Sequence, residues 1–295
     1  MDPGKFLLFA VGGLSLAAYL FIVTAGLSLV FGALRIINMA HGSLYMIAAF
    51  VTVVVANQIG VAAGFWVGLL VAILAAGAVG AVIEVIVLRR VYNQEHLVQL
   101  LGTYAVALVI SGLVRLIWGA NYRTMQEPSL FSGSVQLFGY SYARYNLFMI
   151  AAALVIGAAV YLMLYRTSLG RNIRAAVTDS QLLSATGVNV KMLFTTVFVI
   201  GAGLAGLGGV IVAPSQAVGS TMDSDILVLA FAISVIGGLG SIVGSLVGSL
   251  IVGEVISFGL ANPATNAFAL AFVFLIMVAV LTVRPWGLFG TPEMQ

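Results

Sequence analysis

Runs of apolar residues, each long enough to cross a bilayer as a helix, follow one another along nearly the whole chain. A hydrocarbon core about 30 Å thick requires roughly 20 consecutive apolar residues in helical conformation. The pattern therefore predicts an all-α, polytopic helical membrane protein with about eight membrane elements in one transmembrane domain, residues 1–295. The predicted segments are Phe6–Leu34, Gly42–Val55, Gly64–Leu88, Leu97–Trp118, Asn146–Tyr165, Met192–Ala213, Ile226–Phe258 and Phe268–Val283.

Two short polar or glycine-rich stretches interrupt this pattern. RIINMAH at Arg35–His41 separates the first two segments, and GGLGS at Gly237–Ser241 divides Ile226–Phe258. The latter segment is too short for two full crossings of about 20 residues each. We therefore expect a re-entrant pair of half-helices hinged at Gly237–Ser241, and the alternative is one tilted span with an external C-terminus. The sequences INMAHGSLYMIAAF and IGGLGSIVGSLVGSL resemble each other, so we predict a pseudo-repeat with both breaks beside a substrate route.

Composition supports a membrane protein and sets its orientation. The chain is 62% hydrophobic and 7% charged, whereas soluble proteins have about 25% charged residues. Its 34 glycines let helices approach closely in lipid, where apolar surface alone drives little association. The cations lie between the apolar runs, where they indicate orientation rather than nucleic-acid binding. Arg89, Arg90 and the stretch Arg166–Lys191 lie two spans apart, which places them on one side, and the positive-inside rule makes that side cytoplasmic.

The stretch Arg166–Lys191 is the more basic of two long polar stretches and has the features of a folded segment. Thr167 and Ser168 are suitable N-cap residues, and Gly187 lies where a helix-ending glycine is expected. Apolar side chains between them predict a short amphipathic helix of about four turns. We interpret it as a coupling helix that docks on an energy-supplying partner; the alternative is a solvated connecting helix. The apolar positions are Ile173, Val177, Leu182 and Leu183.

Several polar residues within or beside the apolar runs are candidates for the transport route. Asn38, His41 and Ser43 surround the first break, where they either line a polar waist of the route or satisfy backbone groups freed by the break. Glu84 and Glu254 are intramembrane carboxylates, which are functional candidates by default. A structural hydrogen bond to a neighbouring helix is the alternative for both.

Other kinds of chemistry are not supported by the sequence. Asp223 and Asp225 belong to a predicted external loop, Pro214–Asp225, where they form either a docking point for a basic partner or a solvated pair. Apart from His41, the sole histidine is His96 in a loop, so no metal site is expected. The chain has no cysteine and no phosphate-binding loop ending in Lys-Ser or Lys-Thr. We therefore expect a protein that is not an enzyme, needs no cofactor of its own and does not itself bind ATP by that route.

Five motifs in order resemble the LivH-type permeases, the membrane subunits of ABC importers for branched-chain amino acids. The motifs are GLSLVFGALRIINMAHGSLYMIAAF, SLGRNIRAAVTDSQLLSATGVNV, FVIGAGLAGLGGVI, VIGGLGSIVGSLVGSLIVG and VRPWGLFG. The resemblance runs nearly from end to end. One departure is Ser43, where many members of that family have an acidic residue, and related proteins also carry urea, short amides and other small carboxylates.

The resemblance implies a bacterial inner-membrane importer working by alternating access. Its partners would be a LivM-like second permease, two cytoplasmic ATPases that bind ATP, an extracytoplasmic binding protein and membrane lipid, with no nucleic acid. An ion-coupled secondary transporter and a scaffold without flux are the alternatives from other classes. The resemblance assigns the coupling role to Arg171, Arg174, Asp179 and Gly187. The expected translocation route is lined by Asn38, His41, Ser43, Gly237, Gly238, Gly240, Ser241 and Glu254.

Overall fold

Helices make up most of the structure, a computed structural model that describes residues 3–92, 94–137 and 139–290. Within these residues eight helical segments are long and apolar enough to cross a membrane, as the sequence predicts. A two-stranded antiparallel hairpin, β1 (Ser134–Leu137) and β2 (Tyr140–Ala143), follows the fourth segment. The helices are α1 (Pro3–Leu34), α2 (His41–Ile59), α3 (Val61–Ile83), α4 (Arg89–Val91), α5 (His96–Trp118), α6 (Arg144–Arg166), α7 (Ser168–Thr178), α8 (Ser180–Ala185), α9 (Val190–Val212), α10 (Met222–Gly237), α11 (Ile242–Leu260) and α12 (Ala269–Val283).

Helix α1 lies at the centre of the fold, between α9 and α11. Gly26 of α1 and Gly201 of α9 face each other so closely that a Cβ on either would overlap the other's backbone carbonyl or its immediate neighbours. Gly253 of α11 makes a similar approach to the α1 backbone at Gly13 and Ala17. Small residues are typical of such contacts in membranes, because dispersion between touching backbones replaces the hydrophobic effect that lipid cannot supply.

The two ends of the helix bundle differ in charge. Arg35 after α1, Tyr92 after α4 and Asp179 between α7 and α8 line a single pocket, so these three loops share one end of the molecule, which we call the basic end. This confirms that Arg89, Arg90 and Arg166–Lys191, called the coupling segment below, lie on the same side, which the positive-inside rule predicts to be cytoplasmic. The cations at the basic end are Arg35, Arg89, Arg90, Arg166, Arg171, Arg174, Lys191 and Arg284.

The first break is where the sequence places it, between α1 and α2. Residues 35–40 are not helical, and Arg35 has a φ of 55° in the left-handed region. The chain then runs back along α1, because the His41 ring bonds to the carbonyl of Val23, well inside that helix. Helix α2 therefore begins in the interior of the bundle and runs away from the basic end to pair with α3, as the contact of Gly64 with Ala56 shows.

The second break differs from the expected pair of half-helices. Helix α10 has 16 residues and α11 has 19, and α11 alone meets the length and apolarity of a membrane span. The chain reverses between them at the basic end, where Gly238 and Gly240 take φ values of 104° and 81°. A further non-helical stretch, residues 213–221, precedes α10. As expected, α10 enters and α11 leaves on the side opposite to the basic end.

The interruptions at residues 35–40 and 213–221 are the structural counterparts of each other. Each precedes a helix that starts inside the bundle, and the starts of α2 and α10 meet where Gly42 touches the backbone of Asp223. Helix α3 packs on α9 as α11 packs on α1. The helices α1–α3 form one unit and α9–α11 the other. Because α1 runs towards the basic end and α9 away from it, the two units form an inverted repeat. The glycine turn at Gly237–Ser241 is thus not the partner of the first break, although the short-range sequence similarity suggested that it was.

Candidate translocation and coupling sites

The residues of the first break lie together in the interior. Asn38 and His41 are 0% and 1% exposed. The Asn38 side-chain oxygen accepts from the Ala40 amide at 3.1 Å, and His41 Nε2 bonds to the Val23 carbonyl at 2.9 Å. Asn38 Nδ2 and His41 Nδ1 have no hydrogen-bond partner among the described residues. Each side chain thus makes one hydrogen bond to the backbone, Asn38 within the break and His41 to the middle of α1, and keeps one polar atom without a partner among the described residues.

Asp223 lies beside the residues of the first break, a position that the sequence did not predict. It was expected in an external loop, but it lies in the first turn of α10 and is only 7% exposed. Its carboxylate accepts from Ser43 of α2 at 3.5 Å and from Ser111 of α5. Ser111 is seven residues from the end of α5, so this carboxylate lies about 10 Å inside that helix end. Both donors are distant in sequence, which is why no local pattern indicated the contact.

Asp225 and its neighbours form an exposed face on α10. Ser224, Asp225 and Val228 are exposed, and with Thr221 they recur at spacings of three and four residues, so they share one side of the helix. Asp225 is in the same helical turn as Asp223 and hence at a similar depth. A carboxylate at this depth is costly against lipid, so the face requires a polar surrounding or another protein.

The glycine turn is separate from this site. Gly237 and Gly238 pack against the C-terminal segment at the basic end, where the Phe289 amide donates to the Gly237 carbonyl at 2.8 Å. Gly240 lies beside Gly32 of α1. The Ser241 hydroxyl caps α11 by accepting from the Gly244 amide at 3.0 Å. These residues form a tight turn, buried at Gly237 and Gly238 and partly exposed at Gly240 and Ser241, about one helix length from the start of α10.

Glu254 occupies a third location. It lies on α11 against Gly13 of α1, is partly exposed, and its Oε2 atom has no hydrogen-bond partner among the described residues. The eight residues expected along the route therefore fall into three places. Asn38, His41 and Ser43 lie at the first break, the four residues of the glycine turn lie at the basic end, and Glu254 lies apart from both. The structure adds Asp223 and Ser111 to the group at the first break.

The coupling segment folds as two short helices rather than one. Thr167 caps α7 by accepting from the Gly170 amide at 3.1 Å, as predicted, and Gly187 has a φ of 88° after α8. Asp179 breaks the expected single helix because its carboxylate accepts from the amides of Gln181 and Leu182, both at 2.9 Å, and so starts α8. This side chain is therefore engaged within the segment.

The two arginines of α7 point to different surroundings. Arg174 turns back towards α6, where it donates to the Leu164 carbonyl and lies over the Tyr165 ring at 5.3 Å. Arg171 is exposed. The exposed apolar side chains of this region are Leu182 on α8, at 65%, and Met192 on α9, at 67%. The exterior of the coupling segment thus combines an exposed cation with apolar surface.

A buried network ties α3 to α9 at the basic end. Glu84 is fully buried and accepts from Arg89 Nε at 3.1 Å, from the Tyr92 hydroxyl at 2.8 Å and from the Thr195 hydroxyl at 2.8 Å. A π-helical turn over Glu84–Leu88 brings Glu84 and Arg89 to one side of the helix. Burial raises the pKa of Tyr92, and the hydrogen bond to Glu84 raises it further. Glu84 was expected either to have a transport role or to make a hydrogen bond to a neighbouring helix, and its bond with Thr195 of α9 is the second of these.

The fold and this set of sites define a multi-pass membrane transport permease. The described residues form eight apolar helical segments, and the two helices that follow interruptions, α2 and α10, start against each other in the interior, an arrangement typical of transporters. The family described as "Branched-chain amino acid transport system / permease component" matches residues 9–281. The chain belongs to this family, whose members are permease subunits of ABC importers.

Two relatives named LivH and BraD are similar over almost their whole length, and LivM over about two thirds of its length. The chain is 28% identical to the high-affinity branched-chain amino acid transport system permease protein LivH of Escherichia coli K12, covering 96% of this chain and 95% of that protein. It is 26% identical to the corresponding protein BraD of Pseudomonas aeruginosa, covering 97% and 96%. It is also 26% identical to LivM of Escherichia coli K12, covering 93% of this chain and 68% of LivM.

Proposed function

We propose that this permease subunit moves branched-chain amino acids into a bacterial cell by alternating access, driven by ATP hydrolysis on partner subunits. The end-to-end match to the family carries the proposal. Its partners would be a LivM-like second permease, two cytoplasmic ATPases and an extracytoplasmic binding protein. The similarity to both LivH and LivM supports pairing of two related permeases around one route.

The proposed route follows the exposed face of α10 and the nearby starts of α2 and α10. The exposed carboxylate of Asp225 supports this placement, because a charged group at this depth is stable beside a water-filled path but costly beside lipid. The second permease would close the other side of the path. Ser43, Ser111 and Asp223 lie directly behind this face and hold α2, α5 and α10 together. Asn38 and His41 support the start of α2 within the same region.

The proposed ATPase contact is the exterior of the coupling segment. Arg171 and Leu182 are exposed there, whereas Asp179 and Arg174 are engaged with their own chain. We therefore assign direct docking to the first pair. Asp179 and Gly187 act indirectly, since they set where α8 begins and ends.

The test is uptake into vesicles that contain the complete complex of two permeases and two ATPases, with binding protein outside and ATP inside. We expect ATP-dependent uptake of radiolabelled leucine. Arg171→Glu should lower uptake several-fold and reduce the stimulation of ATP hydrolysis by loaded binding protein. Lys5→Glu is the matched control, because it reverses an exposed charge at the opposite end. Equal loss in both variants would contradict the docking assignment.

The same vesicles distinguish the other candidate functions. Competition by excess urea or acetamide, with no competition by valine, would assign the chain to a small-amide importer. Leucine uptake that persists without ATP and collapses with the proton gradient would indicate an ion-coupled transporter. Either result would overturn the proposed function while leaving the family assignment intact.

A further inference from the structure

Two neighbouring cavities form one continuous groove on the side of the bundle. The first, of about 560 Å³, lies between α1, α6 and α11. The second, of about 320 Å³, lies at the basic end among α1, α6, α7 and the turn before α11. Ile242 and Val243 line both cavities, so the two spaces join at the first turn of α11.

The larger cavity has the character of an acyl-chain site. Apart from the hydroxyl of Tyr161, every side chain along it is apolar. Along α6 it extends from Tyr161 to Ile150, which corresponds to about 16 Å of helix. One leaflet contributes about half of a 30 Å hydrocarbon core. The groove therefore has the depth of one leaflet and begins at the cytoplasmic boundary.

The smaller cavity has the character of a headgroup site. Arg174 lines it together with the hydroxyl-bearing residues Ser28, Tyr165 and Ser241. Among the described residues Arg174 makes no ion pair; it bonds to one backbone carbonyl and lies over the Tyr165 ring. A guanidinium has five N–H donors in a planar fork that suits phosphate oxygens. Most of its donors are thus unused, and its charge has no counter-ion among the residues that the structure describes.

We propose that this groove binds one anionic phospholipid of the cytoplasmic leaflet. The phosphate bonds to Arg174 in the smaller cavity, and one acyl chain occupies the apolar groove between α1, α6 and α11. Charge complementarity favours this occupant over a helix of the second permease. An apolar helix would fill the larger cavity but would leave the guanidinium without a counter-ion at the edge of the membrane. Basic pockets between transmembrane helices on the cytoplasmic side are typical headgroup sites.

The proposal gives Arg174 a use that is independent of ATPase docking. The guanidinium bridges the end of α6, through the Leu164 carbonyl and Tyr165, and the coupling helix α7 that carries it. A bound phosphate would add a third contact at the turn before α11. The lipid would therefore stabilise the coupling segment against the membrane helices.

The test is native mass spectrometry of the purified full chain in detergent, titrated with phosphatidylglycerol or phosphatidylcholine. We expect one tightly retained phosphatidylglycerol and weaker phosphatidylcholine. Arg174→Gln should weaken phosphatidylglycerol binding about fivefold, the effect of one basic residue near a lipid headgroup, and should abolish the preference. Arg171→Gln is the matched control, since it removes an exposed charge from the same helix without lining the cavity. Equal affinity of Arg174→Gln and Arg171→Gln would overturn the proposal.

A second pair of variants tests the groove without changing charge. Ala158 lines the larger cavity and Ala159 does not, and both are exposed. Ala158→Trp should reduce retention of both lipids several-fold, whereas Ala159→Trp should not. If Ala158→Trp leaves lipid retention unchanged and instead disrupts the complex with the second permease, the groove is a permease interface and the proposal is wrong. These outcomes do not depend on transport, so they are separate from the test of the proposed function.

Discussion

Replacing Arg89 by methionine is expected to destabilise the protein more than replacing Glu84 by glutamine. The two residues form an ion pair at 3.1 Å, but their environments differ: the Glu84 side chain is 0% exposed and that of Arg89 is 35% exposed. Arg89→Met leaves a buried carboxylate without its cation. Glu84→Gln leaves a partly exposed guanidinium that can reach water at the interface.

The expected magnitudes follow from this difference in burial. Removing one partner of a buried ion pair costs about 3–5 kcal/mol when the remaining charge is uncompensated. The carboxylate left by Arg89→Met keeps the hydroxyls of Tyr92 and Thr195, so we expect the lower end, about 3 kcal/mol. Glu84→Gln keeps an amide oxygen for the same donors and should cost about 1–2 kcal/mol. The double variant should be more stable than Arg89→Met alone, because it removes the orphaned charge.

The assay is reversible unfolding in mixed micelles, with increasing denaturing detergent and helicity followed by circular dichroism. Arg90→Met is the control, since Arg90 is exposed and lies outside the network. If Arg89→Met proved no more destabilising than Glu84→Gln, or if the double variant were the least stable of the three, the reasoning from unequal burial would be refuted.

Three further predictions concern backbone contacts and pH. Gly42→Ala should lower the thermal unfolding temperature markedly, because the added Cβ overlaps the Asp223 carbonyl; Gly102→Ala, in open space, should not. Gly238→Ala should also be destabilising, by more than about 1 kcal/mol, because φ is 104° and backbone lies alongside. The raised pKa of Tyr92 stabilises the folded state below pH 10, and this contribution is lost as pH rises above 10. Tyr92→Phe should flatten that decline in detergent unfolding measured between pH 9 and 11, and an unchanged slope would contradict it.

The membrane segments were predictable because their length is imposed from outside the protein. Bilayer thickness fixes about 20 apolar residues per crossing, and the segments Leu97–Trp118 and Phe268–Val283 match α5 and α12 within a residue or so. The first break was also predictable, since polar residues at Arg35–His41 cannot continue a lipid-facing helix. Helix caps at Thr167 and Gly187 were predictable from local side-chain chemistry.

Contacts between residues distant in sequence were not predictable in the same way. Asp223 was assigned to an external loop because it follows a proline and several polar residues, but Ser43 and Ser111 stabilise it within the bundle. The Glu84–Arg89 pair was hidden by the π-helical turn. In a regular α-helix residues five apart are about 140° apart around the axis, whereas the wider turn returns Arg89 to the side of Glu84.

The two breaks, at Arg35–His41 and Gly237–Ser241, have similar sequences and were therefore both predicted to lie beside the substrate route, but their glycines have different uses. Glycine permits either a positive φ or a close backbone approach, and a sequence pattern does not distinguish these uses. Gly238 and Gly240 form a turn at the basic end, whereas Gly42 allows α2 to touch α10 in the interior. Only the second use brings two helix starts together at depth. This contact supports the proposed route at the junction of α2, α5 and α10 rather than at the glycine turn, and Asp225 is an exposed carboxylate beside that junction.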